Sequence, residues 1–279
     1  MIKLIYRLPL ALLIICLFPV LSYSFEIEVM PTAVKPGDIS ILTITGATHP
    51  VNASFNGNKL YLQKIPDNRL IALVPVDINT TPDKYDISIK HGDTRKSAEI
   101  EVIDHKFVTI KLTLPKGKVT LSPENQKRAN REAVLQNGIW SVITSMEWDG
   151  KFTHPTDTET STVFGVKRIM NEVKTSVHRG MDFRGKTGTP VKAINSGTVV
   201  LTKDLFYGGN TLIVDHGMGL YSVYMHLSKF ETEKGKPVSK GDVIGLIGSS
   251  GRATGPHLHI SVKLNGISVN PESLFELDL

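Results

Sequence analysis

The stretch Thr254-Gly-Pro-His257-Leu-His-Ile-Ser-Val-Lys-Leu264 alternates polar and apolar side chains from its first histidine onward. Because strand side chains point alternately to opposite faces, this pattern predicts a β-strand with His257 and His259 on one face and Leu258 and Ile260 on the other. The apolar face can pack on a core while both imidazoles project into a groove. Buried neutral imidazoles need hydrogen-bond partners, so two on one face indicate a functional surface.

Two further segments carry the same chemistry. The run from Leu220 to His226 also alternates, which predicts a strand with Ser222, Tyr224 and His226 on one face. The segment His178-Arg-Gly-Met-Asp182 adds an imidazole and a carboxylate. A straight strand would separate those two side chains by about 13 Å, so we expect the chain to bend at Gly180.

One carboxylate and two imidazoles suit Zn²⁺ when a fourth position stays open for water, which is the catalytic arrangement. Two more histidines would then remain beside the metal for proton transfer. The other histidines are interpreted as ordinary structural residues, namely His49, His91, His105, His154 and His216.

The amino-acid composition excludes several classes of protein. The chain has 279 residues, of which 41% are apolar and 21% charged, so it can bury a core and its length favours two domains. A net charge of +5 is too mild to indicate nucleic-acid binding. The only cysteine is Cys16, which excludes a cysteine nucleophile, a thiolate zinc site and a disulfide framework from the mature protein.

The amino terminus is typical of a secretory signal. Lys3 and Arg7 precede an apolar run from Leu8 to Leu21, and Ser22-Tyr-Ser24 matches a signal-peptidase cleavage site. We therefore assign residues 1–24 to a signal peptide and expect a secreted or periplasmic protein with no membrane span after cleavage. The alternative is an uncleaved anchor, but the apolar run is shorter than the roughly 20 residues that span a bilayer.

The remaining chain reads as mainly β. Short apolar runs separated by turn residues over residues 25–114 predict an immunoglobulin-like β-sandwich. Residues 115–148 are assigned to a linker with one helix, which starts at Ser122-Pro-Glu124 and stops at Asn137-Gly138. Residues 149–279 are assigned to a second, antiparallel β domain that carries the chemistry.

Residues 164–275 resemble the catalytic domain of lysostaphin-type (LytM-type) zinc metallopeptidases, which cut peptide bonds in bacterial peptidoglycan cross-links. The motifs that carry the resemblance are Phe164-Gly-Val-Lys-Arg168, His178-Arg-Gly-Met-Asp182, Gly188-Thr-Pro-Val191, Gly208-Gly-Asn210, Asp215-His-Gly217, Tyr224-Met-His-Leu227 and Thr254-Gly-Pro-His-Leu-His259. The resemblance implies a β-sheet groove walled by loops. It also implies that His178, Asp182 and His259 bind one zinc ion per chain.

Roles for the other site residues follow from the same resemblance. It implies that His257 is the general base and that His226 is its partner, orienting the water and, as an imidazolium, offsetting the charge of the tetrahedral intermediate. Tyr224 and Asn210 are weaker candidates for substrate binding. The implied protein is an exported zinc metalloendopeptidase whose partner is the peptidoglycan peptide cross-link. We further expect the segment ahead of the catalytic domain to restrain the active site.

Three other interpretations compete. Two histidines and one carboxylate also form the facial triad of Fe(II) oxygenases, although those enzymes usually space their first pair of ligands one residue apart. Residues Gly235 to Gly245 resemble a lipoyl carrier hairpin, but the modifiable lysine at its tip is missing. The third alternative is a catalytically restrained or non-enzymatic protein that binds or activates cell-wall hydrolases.

Overall fold

The computed structural model describes residues 25–47, 50–113 and 121–279. The predicted signal peptide with Cys16, the residue His49 and the first part of the predicted linker lie outside the described residues. Within the described ranges, no helix is both long and apolar enough to cross a membrane.

The first unit consists of nine strands in two sheets around one core. The strands are β1 (Glu26–Met30), β2 (Ala33–Val34), β3 (Ile39–Thr45), β4 (Val51–Phe55), β5 (Asn58–Leu60), β6 (Gln63–Ile65), β7 (Arg69–Pro75), β8 (Asp83–His91) and β9 (Thr94–Val102). They form the sheets β1-β3-β7-β6 and β2-β9-β8-β4-β5. Leu42 and Val74 from one sheet and Ile87 and Ile100 from the other belong to the same buried cluster. The predicted β architecture is confirmed, whereas its immunoglobulin-like topology stays a prediction.

The linker helix α1 (Pro123–Trp140) begins where the sequence predicts, because the Ser122 Oγ accepts a hydrogen bond of 3.3 Å from the Asn125 backbone N–H. Its predicted stop at Gly138 is wrong. The helix continues to Trp140, whose ring lies 5.2 Å from that of Tyr221. Packing of this last turn on the sheet that contains Tyr221 outweighs the weak helix propensity of glycine.

The second unit is a ten-stranded sheet. Its strands are β11 (Thr160–Thr162), β14 (Met181–Arg184), β15 (Pro190–Lys192), β16 (Gly197–Leu205), β17 (Gly209–Gly217), β18 (Leu220–Phe230), β19 (Pro237–Val238), β20 (Val243–Ile247), β21 (His257–Leu264) and β22 (Ile267–Val269). The main order is β11-β14-β21-β18-β17-β16-β19, with antiparallel neighbours throughout. A short helix, α2 (Pro271–Glu276), follows.

A small third sheet joins the two units. Strand β10 (Thr109–Leu112) pairs in parallel with β12 (Lys167–Met170), which pairs in turn with β13 (Lys174–Val177). Strand β10 falls inside the range predicted for the sandwich, yet its described partner is this hairpin, which lies beyond α1 in the sequence. The hairpin leads directly into His178, so the segment ahead of α1 braces the chain that presents this residue.

Candidate metal centre

Three side chains from neighbouring segments converge on one point. Strands β14 and β21 are antiparallel neighbours, and Asp182 lies directly opposite His259 in their register. His178 enters from the end of β13. The Asp182 Oδ1 is 3.0 Å from the His178 Nε2 and 2.7 Å from the His259 Nδ1, and the two nitrogens are 3.1 Å apart.

This triangle of atoms fits a zinc ion. Metal–ligand bonds of about 2.0–2.1 Å at tetrahedral angles place neighbouring ligand atoms about 3.3 Å apart. The observed separations are slightly shorter and need only a small expansion. Within the described residues, this is the only group of three or more His, Cys, Asp or Glu side chains close enough to share a metal ion.

Each imidazole of the triangle is held through its other nitrogen. The His178 Nδ1 lies 2.9 Å from the Val163 carbonyl oxygen, and the His259 Nε2 lies 2.8 Å from the Ser261 Oγ. With a metal ion in the triangle, donation at these positions would leave the lone pairs of the opposite nitrogens to bind the ion. Such outer contacts fix the tautomer and the ring orientation of metal-binding histidines.

Gly180 allows the strands to approach. The chain bends there, as predicted, but φ at this residue is not among the positive values. What the site requires is the absence of a side chain, because an added Cβ would lie 2.3 Å from the Ile260 carbonyl oxygen and 2.6 Å from the His259 Nε2. From the sequence, we expect glycine here for its conformational freedom, but the close packing of the strands is the stronger reason for glycine at position 180.

The electrostatics keep the carboxylate charged. Burial alone would raise the pKa of Asp182, but hydrogen bonds from His178 and His259 outweigh it and hold the pKa well below its usual range. Burial also lowers the pKa of His259, which favours the neutral, metal-binding imidazole. The Arg168 guanidinium lies 3.7 Å from the Asp182 Oδ2.

Two more histidines face the same space. The His257 Nδ1 lies 2.8 Å from the Gly255 carbonyl oxygen and the His226 Nδ1 lies 2.9 Å from the Ser250 carbonyl oxygen, so each ring directs its Nε2 elsewhere. The His257 Nε2 is 4.0 Å from the Asp182 Oδ1. The two ring centroids are 4.7 Å apart. The structure thus brings together all five predicted metal-binding and catalytic side chains.

A β-bulge presents His226 to the site. Strand β18 has one more residue than β17 between the pairs Leu212–Tyr224 and Asn210–Leu227. His226 takes a positive φ of 64° there. The extra residue turns the imidazole to the face that carries His259.

The expected position of Tyr224 beside His226 is wrong for this reason. Tyr224 lies opposite Ile260 and is fully buried, and its hydroxyl accepts a hydrogen bond of 3.0 Å from the Ile194 N–H. Burial raises the pKa of Tyr224 to about 12. The Asn210 amide is also engaged, since its Nδ2 donates to the Leu227 carbonyl oxygen. Neither residue is among those that line the cleft.

Three of the described histidines interpreted as structural have partners that do not line the cleft. His216 is fully buried between the Ser196 carbonyl oxygen and the Ser222 hydroxyl, at 2.7 and 2.8 Å. Burial lowers the pKa of His216 to about 4. His154 lies 4.8 Å from the Phe275 ring, measured between centroids. His105 stacks edge-on against Phe107 at 4.7 Å.

The five side chains lie in a cleft of about 690 Å³. Its lining also includes Ser161, Thr162 and Arg168, together with Tyr207 and the loop from Arg252 to Pro256. Among the described residues, none before Ser161 lines the cleft. The sequence patterns did not single out the three arginines of this cleft, because isolated cations carry no periodicity; Arg168 appeared only as part of a motif.

The comparisons with known proteins agree with this geometry. Residues 176–271 match the profile of Peptidase family M23. This part of the chain is therefore similar to the peptidases of that family. Its match with the Peptidoglycan DD-endopeptidase ShyA of Vibrio cholerae serotype O1 is 45% identical over 93 residues, which is 33% of this chain and 22% of that protein. The match with the DD-carboxypeptidase/endopeptidase Mpg of Neisseria meningitidis serogroup B is 41% identical over 98 residues, or 35% of this chain and 23% of that protein.

The second unit and the unit before it also resemble a solved structure. A putative peptidase M23 from Pseudomonas aeruginosa has a TM-score of 0.67 and 28% sequence identity, covering 86% of this chain and 94% of that one. The fold likeness therefore extends well beyond the 96 residues of the family match. The two sequence relatives are much longer, and the chain matches less than a quarter of each.

Proposed function

We propose that this protein is an exported zinc metalloendopeptidase that hydrolyses peptide bonds in peptidoglycan cross-links. The observation that carries the proposal is the triangle of His178, Asp182 and His259, which opens into a cleft where His257 and His226 stand beside it. The M23 family and the names of the matched endopeptidases support the same reaction and the same polymer.

The donor set suits zinc because two neutral imidazoles and one carboxylate leave a fourth position for substrate or water. A zinc ion held by His178, Asp182 and His259 would polarise the scissile carbonyl and lower the pKa of the attacking water. The buried, hydrogen-bonded ligands are already oriented, so little rearrangement is needed to bind the ion.

His257 is the proposed general base. Donation from its Nδ1–H to the Gly255 carbonyl oxygen leaves the Nε2 lone pair free to accept a proton. Strand β21 places this Nε2 near the ligand carboxylate, at 4.0 Å from its Oδ1, and therefore within reach of water beside the metal. The same nitrogen can then deliver the proton to the leaving amine.

His226 is proposed to keep one of its two expected roles, orienting the water, and not to act as an imidazolium. Burial lowers its pKa to about 4, which argues against an imidazolium near pH 7. With Nδ1–H donating to the Ser250 carbonyl oxygen, the neutral ring presents an acceptor at Nε2. His226 is therefore proposed to accept a hydrogen bond from the attacking water and to hold it in line with the carbonyl.

The M23 match gives no support to the iron oxygenase or the lipoyl carrier. A protein that only binds or activates other hydrolases is the remaining alternative. The deciding experiment is digestion of purified, cross-linked muropeptides by the zinc-loaded protein lacking residues 1–24, followed by mass spectrometry of the products. We expect the parent protein to convert cross-linked dimers into monomers, whereas His259→Ala should leave the dimers intact. Intact dimers after prolonged incubation with zinc-replete protein would refute the peptidase and favour the alternative.

A further inference from the structure

The charge of the cleft is unbalanced. Three of its lining side chains are guanidinium groups, Arg168, Arg184 and Arg252, whereas Asp182 is the only carboxylate among them. Asp182 is committed to the two histidines of the triangle. A divalent cation in the triangle would add further positive charge. A cleft of this kind favours an anionic ligand.

Two of the arginines already have neighbours within the protein. The Arg168 guanidinium lies 3.7 Å from the Asp182 Oδ2 and is about one-third exposed. The Arg252 guanidinium lies over the Phe206 ring, 5.5 Å from its centroid, and the Arg252 backbone N–H donates to the Tyr207 carbonyl oxygen. Both side chains are therefore components of the cleft walls.

Arg184 differs from them. It is the last residue of β14, it is exposed, and its side chain forms no ion pair with any residue that the structure describes. Directly opposing residues of an antiparallel pair share a face, and Arg184 opposes His257. Arg184 thus stands beside the proposed general base with no described counter-ion.

Arg184 lies about as far from the metal site as one residue of an extended peptide lies from a residue one or two positions along. Arg184 lies two positions after Asp182 on the same strand face, which separates their Cα atoms by about 7 Å. A substrate held with its scissile carbonyl at the triangle would bring the next one or two residues within reach of this guanidinium. A planar guanidinium binds a carboxylate through two parallel hydrogen bonds, and both groups stay charged near pH 7.

We propose that Arg184 is a specificity-determining residue that binds a free carboxylate of the peptide next to the scissile bond. The inference rests on the proposed peptidase function and names its substrate class. The preferred cross-link contains a diamino dicarboxylic acid, whose second carboxylate stays free when both amines are in peptide bonds. Uncharged bridges, such as those of glycine, lack this group and are poor substrates.

Arg184 affects the binding of the substrate and not the chemical step. The carboxylate does not react, so its contact with Arg184 is the same in the ground state and in the transition state and lowers KM without changing kcat. Because Arg184 is exposed, water weakens the attraction. We expect Arg184→Gln to raise KM for the free acid about 10-fold, in line with a single charge-assisted contact.

The test uses two synthetic cross-linked peptides that differ only in this carboxylate, one free and one amidated. With the zinc-loaded protein we measure kcat and KM for both peptides, and by calorimetry the Kd for the corresponding uncleavable fragments. The parent should prefer the free acid about 10-fold in KM and Kd, and Arg184→Gln should abolish this preference while kcat stays unchanged. Arg184→Lys should restore part of it.

Lys186→Gln is the matched control, because Lys186 is an exposed cation two residues further along the chain that does not line the cleft. Equal loss of preference in Lys186→Gln and Arg184→Gln would reveal only long-range electrostatics and overturn the inference. Equal binding of both fragments by the parent would overturn it as well. If neither peptide is cleaved but Arg184 still determines which fragment binds, the inference survives and the peptidase proposal fails.

Discussion

Replacement of Gly180 by alanine tests whether close packing of two strands sets the metal geometry. Gly180 precedes β14 and faces β21 with no room for a methyl group. Its Cβ would meet the Ile260 carbonyl oxygen at 2.3 Å, the His259 Nε2 at 2.6 Å and the Ser261 Oγ at 2.7 Å. Two of these atoms form the hydrogen bond that orients the His259 ring.

The magnitude follows from these distances. Ordinary contacts of a Cβ begin near 3.4 Å, so the start of β14 must move about 1 Å away from β21. Metal–ligand bond lengths tolerate deviations of about 0.2 Å. Loss of a hydrogen bond that orients a metal-binding side chain weakens metal binding by itself about 10- to 100-fold. We therefore expect zinc affinity to fall about 100-fold. The overpacking itself should cost about 2 kcal/mol of folding free energy, or about 4–8 °C in Tm.

Zinc affinity is measured by competition with a chromophoric chelator, and Tm by calorimetry of the metal-free protein. Gly255→Ala is the control, because its added Cβ has no heavy atom within 4 Å although Gly255 lines the cleft. It should bind zinc as the parent does. Zinc affinity within twofold of the parent in Gly180→Ala would refute the conclusion that this close approach determines the site.

Five other variants test separate parts of the structure. His259→Ala should lose zinc and activity, whereas His257→Ala should keep one zinc per chain and lose about 10²- to 10⁴-fold in turnover; the reverse pattern of metal content would exchange their roles. Because burial lowers the pKa of His216 to about 4, the unfolded chain binds a proton between pH 6.5 and pH 4 that the folded chain does not. The free energy of unfolding should therefore fall by up to about 3 kcal/mol on acidification through this range, and His216→Gln should flatten the profile, a change that denaturant titrations at several pH values would detect. Gly138→Ala should raise the free energy of unfolding by about 1 kcal/mol, since the helix passes through this residue and no heavy atom lies within 4 Å of the added Cβ. Ile110→Pro in β10 should lower zinc affinity and activity, whereas a faster enzyme would instead support the expected restraint by the amino-terminal unit.

The sequence predicted those parts of the site that depend on local periodicity. The alternation in β21 correctly places His257 and His259 opposite a buried apolar row, because a period of two needs no information from elsewhere in the chain. The cap at Ser122 is equally local. The same reasoning fails for β18, where one inserted residue moves His226 away from the face of Tyr224. A bulge depends on the pairing of β18 with β17, which periodicity within one strand does not reveal.

Long-range pairing explains the other differences. The contact between Asp182 and His259 joins residues 77 positions apart, so the residue types suggested a metal site but only the family resemblance assigned its ligands. Helix α1 continues past Gly138 because Trp140 packs against Tyr221, which lies 81 residues later in the chain. The arginines of the cleft form a group only when β12, β14 and the loop before β21 come together.

The pairing of β10 with β12 has a consequence for the design of chimaeras that contain the second unit. The family match begins at residue 176, after both of these strands, which makes that position look like a natural junction for a chimaera. A graft cut there would leave His178 on a chain end without its hairpin, and a graft cut just before α1 would retain the hairpin but omit the parallel strand beside it. A transplantable unit therefore has to start before Thr109, inside what composition alone would assign to the neighbouring domain.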